Sequence, residues 1–158
     1  MRVQVYMRTV LLFVVFTAAC RAGSMVGTWK MDVGRSKVTG SAPPKSFTVR
    51  IEPHAKGEVF TLDRIESDGR TMSSSTLLYF DGAFRDFEDF GCSGAQSSRR
   101  LDGQTMEILR VCASGDWIWL IRQSAGNSKE LIIDITEKRA GRSHVEWRIV
   151  LQKQELPN

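Results

Sequence analysis

Residues 117–152 read WIWLIRQSAGNSKELIIDITEKRAGRSHVEWRIVLQ, and the spacing of apolar side chains along them decides the fold. Trp117, Trp119 and Ile121 alternate with Ile118, Leu120 and Arg122; Leu131, Ile133 and Ile135 alternate with Ile132 and Asp134; Val145, Trp147, Ile149 and Leu151 alternate with His144, Glu146, Arg148 and Gln152. Alternate residues of a strand point to opposite faces, whereas a helix needs apolar residues three and four apart. Ala125-Gly126-Asn127 and Ala140-Gly141 separate the runs with turn chemistry. The stretch therefore reads as three consecutive antiparallel strands. With Ala125-Gly126-Asn127 as the loop, Trp117 is expected opposite Ile135, Trp119 opposite Ile133 and Ile121 opposite Leu131, which makes one face continuously apolar. A slip of one residue would turn that face to water.

The same grammar extends towards the N-terminus. Strand-like segments run over 47–52, 58–65, 71–80, 83–87, 97–101 and 105–112, and Asp68-Gly69, Asp81-Gly82, Asp102-Gly103 and Ser114-Gly115 lie between them. Asp-Gly supplies the positive backbone angles of a tight hairpin, and Gly-containing three-residue loops suit a bulged one. Neighbours in sequence become neighbours in space, so the chain is expected to be an all-β, antiparallel up-and-down meander. Closing it into a barrel removes two exposed edges, with the strand around Trp29 meeting the last one.

Ahead of this domain lies a different composition. Residues 1–8, MRVQVYMR, carry Arg2 and Arg8 without an acid, and Thr9 to Ala19 is almost unbrokenly apolar. That length suits the core of a signal peptide and falls short of the roughly 20 residues of a spanning helix. The expected division is a signal peptide over 1–19, a tether over 20–26, the barrel over 27–153 and a tail over 154–158. The protein is then exported to the cell envelope. Of the three cysteines, an oxidising compartment would leave one unpaired, and acylation of Cys20 would leave Cys92 and Cys112. Without Arg2 and Arg8 the 22 basic and 18 acidic residues become 20 against 18, too slight an excess to favour nucleic acid.

Two resemblances follow. Ala18-Ala19-Cys20 resembles the lipobox of bacterial lipoproteins, where the cysteine thiol is acylated; Thr17 departs from the usual leucine, and a plain signal-peptidase cut after Ala19 or Ala22 stays open. Gly27-Thr28-Trp29 followed by a meander resembles the lipocalin-like group of the calycins, and "APPKSFTVRIEP", "YFDGAFRDF" and "SSRRLDGQTMEI" resemble segments of small exported bacterial proteins. The second and third motif regions of the lipocalins proper are not found. The resemblance implies a barrel plugged at one end by Trp29 that binds a small hydrophobic or amphipathic molecule without chemistry. The membrane would be a partner through the lipid anchor.

Within that frame the candidate residues are few. Counting back from Asp102-Gly103, Ser93 falls opposite Cys112, and a single bulge would bring Cys92 across to it. Such a disulfide is worth about 3 kcal/mol; two reduced thiols are the alternative. A two-residue Ser114-Gly115 turn pairs Cys112 with Trp117 and Arg110 with Trp119. Arg110 on that face would receive a ligand carboxylate, while a rim position reaching water, or a register wrong by one, removes the role. Trp117, Trp119, Trp147, Met106 and Phe60 are candidate pocket lining, or simply packed core. His54 and His144 are expected in solvent. Asp86, Glu88 and Asp89 read as a solvated loop, and no metal or cofactor set stands out. The chain is expected not to be an enzyme. The competing reading is a protein-interaction module, an envelope assembly factor or inhibitor, with a fully packed barrel.

Overall fold

The computed structural model describes residues 25–89, 92–124, 129–139 and 145–155. The expected signal peptide, Cys20, the loops around Gly126 and Gly141, His144 and residues 156–158 lie outside them.

Eleven strands and no helix make up these residues: β1 (Gly27–Met31), β2 (Lys37–Thr39), β3 (Ser46–His54), β4 (Gly57–Ile65), β5 (Thr71–Leu78), β6 (Arg85–Asp89), β7 (Cys92–Arg100), β8 (Thr105–Cys112), β9 (Trp117–Ser124), β10 (Glu130–Lys138) and β11 (Val145–Lys153). They form one antiparallel meander in the order β5-β4-β3-β1-β11-β10-β9-β8-β7-β6. Trp29 faces Lys153 across the β1–β11 ladder, so the first strand meets the last as the sequence implies. The barrel is nearly closed. Its one interruption among the described ladders lies between β5 and β6, the two ends of the strand order.

That seam is stitched by other bonds. Asp81 bridges Arg99, Gly82 N donates to Ser98 O at 2.9 Å, Phe80 N donates to Ser98 Oγ at 3.1 Å, and Gln96 Nε2 donates to Thr76 Oγ1 at 3.0 Å. β1 and β2 are one strand broken by an insertion. Met31 opposes Leu151 and Lys37 opposes Arg148, while Val150 N, at the break, donates to the hydroxyl of Ser36 at 3.0 Å. No apolar alternation in the sequence announces β2.

The last two strands follow the sequence reading: Leu131 faces Leu151, Ile133 faces Ile149 and Ile135 faces Trp147, and all six are buried in the core. β9 does not. Leu120, not Trp117, opposes Ile135; Trp117 faces Lys138 and Trp119 faces Thr136. The β8–β9 turn explains part of the difference. Cys112 N donates to Asp116 O at 2.8 Å and Gly115 N to Cys112 O at 2.9 Å, with Gly115 at φ +85°, so the turn holds three residues rather than two. Arg110 consequently pairs with Ile118. Ile118, Leu120 and Arg122 thus take the inner face and the tryptophans the outer one.

The β7–β8 turn is also one residue longer than expected. Leu101 N bonds Thr105 O because Asp102 Oδ1 accepts from Gln104 N at 2.7 Å and Thr105 N at 2.8 Å. Gly94, rather than Ser93, faces Cys112. Cys92, two residues beyond Gly94 on β7, is joined to Cys112 by a disulfide with Cα atoms 5.0 Å apart. Gly94 is the reason the strands come this close: a Cβ there would lie 2.1 Å from Val111 O.

Candidate mouth and interior site

Turns 66–70 and 113–116 lie at one end of the barrel, which we call the mouth; 55–56 and 101–104 lie at the other. β4 carries Phe60, Leu62 and Arg64 inward along one face, so Arg64 arrives at the mouth. There its Nη2 pairs with Glu66 Oε1 at 2.6 Å, and its guanidinium lies 4.9 Å from the Trp147 ring centroid. Trp147 in turn packs against Phe47 at 6.4 Å. Its Nε1 is buried and has no hydrogen-bond partner among the described residues.

Two spaces meet at Arg64. A cavity of about 70 Å³ inside the barrel is walled by Leu62, Ile118, Leu120, Ile135, Arg110 and the disulfide. An open cleft of about 540 Å³ at the mouth is walled by Ala42, Glu66, Arg70, Val145 and Trp147. Arg64, Glu137 and Arg139 line both. The cavity alone holds only two or so waters, taking roughly 30 Å³ for each.

Large side chains pack much of the remaining interior among the described residues. Trp29, fully buried, donates Nε1 to Met25 O at 2.8 Å. Met106 and Phe60 are buried in the same core. Arg122 and Glu58 form an ion pair, with the Arg122 guanidinium 5.4 Å from the Phe60 ring centroid. Burial pulls the Arg122 pKa down, and Glu58 opposes that pull.

Arg110 faces inward and is 4% exposed. Its Nε donates to Gln96 Oε1 at 2.9 Å, Nη1 lies 3.7 Å from Asp89, and the guanidinium sits 4.3 Å from the Phe87 ring centroid. Burial lowers its pKa to about 10 against the attraction of Asp89 and Glu137, so it stays charged at neutral pH. Through Gln96 and Thr76 this cluster reaches β5, across the seam. Asp89 therefore turns inward, while Asp86 and Glu88 of the same strand face solvent.

Two candidate lining residues are on the wrong face. Trp119 is 41% exposed and donates Nε1 to Glu107 Oε1 at 3.1 Å, and Trp117 follows it outward. Sequence reasoning missed Arg64, Glu58, Arg122, Gln96 and Asp89. Arg64 was within its reach, since it continues the Phe60–Leu62 alternation. His54 is exposed, its Nδ1 accepting from Lys56 N. No group of three metal-binding side chains occurs among the described residues.

No protein-family model matches this chain, and no curated protein does. Among solved structures it is similar to the Schistosoma mansoni fatty acid binding protein in complex with arachidonic acid, with a TM-score of 0.53 and 10% identity over 85% of this chain and 99% of that one. At that identity the likeness carries the fold alone: a β-barrel like that of a fatty acid binding protein.

Proposed function

We propose that this barrel binds a small apolar or amphipathic molecule through its mouth, without catalysing a reaction. The observation that carries the reading is that the cleft adjoins, across Arg64, Glu137 and Arg139, an interior cavity floored by Leu62, Ile118, Leu120 and Ile135. A ligand would rest its polar end among the rim side chains and bury its apolar end against that floor, which is how small-molecule pockets divide their walls. The structural neighbour, a fatty acid binding protein in complex with arachidonic acid, supports the same direction.

The same reading has the protein exported and held at the cell envelope by acylation of Cys20. Its support is the apolar run before Cys20 and the pairing of Cys92 with Cys112, which accounts for the other two cysteines. Labelling cells with a fatty-acid probe tests it: label that survives Cys20→Ser overturns the anchor.

A non-catalytic protein-interaction module is the second reading. The small size of the enclosed cavity and the exposed Trp119 favour it. Native mass spectrometry of the protein from its own host, with extraction of any co-purified molecule and titration with an environment-sensitive naphthalene dye, separates the two. A bound small molecule or saturable dye uptake supports ligand binding. An empty extract together with no uptake overturns it in favour of the module.

A further inference from the structure

The arginines of the interior and mouth are already provided with carboxylates. Arg64 holds Glu66 at 2.6 Å, Arg70 holds Asp68 at 2.7 Å, Arg139 holds Glu137 at 3.4 Å and Arg110 holds Asp89 at 3.7 Å. Arg122 holds Glu58 at the far end. A ligand carboxylate entering at any of these would set two anions against one guanidinium in a partly dry site, where an ion without its own partner is costly to bury. A neutral donor without an acceptor among the described residues also lines the cleft: Trp147 Nε1, on a residue 7% exposed. A buried N–H left unpaired is unfavourable and is relieved when an acceptor arrives. The Arg64 guanidinium lies over that ring and lines both cavity and cleft. Its swing towards the rim would open the partition and uncover the indole.

We propose that the ligand is an uncharged molecule, an apolar body carrying a carbonyl or ether oxygen, that displaces Arg64 from Trp147 and accepts a hydrogen bond from Trp147 Nε1. This rests on the ligand-binding reading above and narrows its ligand class.

Three probes of nearly one shape test it on the full chain with the disulfide intact: methyl naphthyl ketone, isopropylnaphthalene and naphthoate. The ketone is expected to bind about 10-fold more tightly than the hydrocarbon, the worth of one hydrogen bond made by an otherwise unpaired donor, and more tightly than naphthoate. Trp147→Phe is expected to remove the ketone's advantage over the hydrocarbon while the hydrocarbon still binds. Arg64→Ala is expected to tighten ketone and hydrocarbon together. Naphthoate binding as tightly as the ketone overturns the proposal but leaves ligand binding intact. A ketone advantage that persists in Trp147→Phe overturns the donor assignment. Failure of all three probes to bind either wild type or Arg64→Ala overturns both the proposal and the reading beneath it.

Discussion

Replacing Arg110 by Met keeps much of the apolar stem and removes the charge, so it isolates the electrostatic cluster behind the seam. In the wild type, Asp89 lies 3.7 Å from Arg110 and its side chain is 7% exposed. A unit charge pair at that distance is worth about 4 kcal/mol at an effective dielectric of about 20, before the cost of desolvation. Removing one partner takes the Arg110 charge away from the buried Asp89 and deprives Gln96 Oε1 of its 2.9 Å donor. The expected loss is about 3–5 kcal/mol, the range for breaking a buried pair, and a large part of the roughly 5–15 kcal/mol of a typical domain. Urea unfolding at neutral pH, followed by tryptophan fluorescence, measures it as a fall in midpoint. Arg110→Met combined with Asp89→Leu is expected to regain most of the loss, because the orphaned charge has gone. A single variant within about 0.5 kcal/mol of wild type, as expected of an ordinary surface change, would refute the buried cluster. A double variant no better than the single would refute its electrostatic origin.

Further outcomes follow from the same geometry. Gly94→Ala places a Cβ 2.1 Å from Val111 O, so β7 and β8 must part beside the disulfide; calorimetry should show a lowered Tm, and an unchanged one would show that the strands are not so close. Trp119→Ala is expected to cost about 1 kcal/mol, against about 3–5 kcal/mol for Trp147→Ala, and equal costs in urea would put β9 back in the opposite register. Asp102 has its pKa lowered chiefly by the Gln104 amide. Its contribution to the β7–β8 turn is therefore complete above the ordinary aspartate pKa of about 4 and is lost as pH falls through the depressed folded value. An NMR titration of the Gln104 amide that followed an unshifted aspartate would contradict this.

The strand order and the inner faces of β10 and β11 were legible because Leu131, Ile133, Ile135, Trp147, Ile149 and Leu151 alternate with polar residues. β9 was not. Ile118 and Leu120 are as apolar as Trp117 and Trp119, so a period of two cannot choose between the faces. The choice passes to turn length, where one extra residue at Ser114-Gly115 reverses the answer. The interior charges were hidden for another reason. Glu58 and Arg122 resemble solvent-facing residues until their pairing across the barrel is known. Cys92 was placed near Cys112 by parity and counting, although β7 begins well before the segment recognised as strand.

The break in the sheet and the ends of the barrel's chain fall at different places. Gln154 N donates to Thr28 O at 2.8 Å, whereas the ladder stops between β5 and β6. A circular permutant that joined the neighbourhood of Lys153 to that of Gly27, and was reopened within 79–84, would run β6 to β11 and then β1 to β5 as unbroken nearest-neighbour hairpins. The longest loop closure in the native order, Trp29 to Lys153, would become local. Such a rearranged chain should fold faster than the natural one, since low contact order speeds folding.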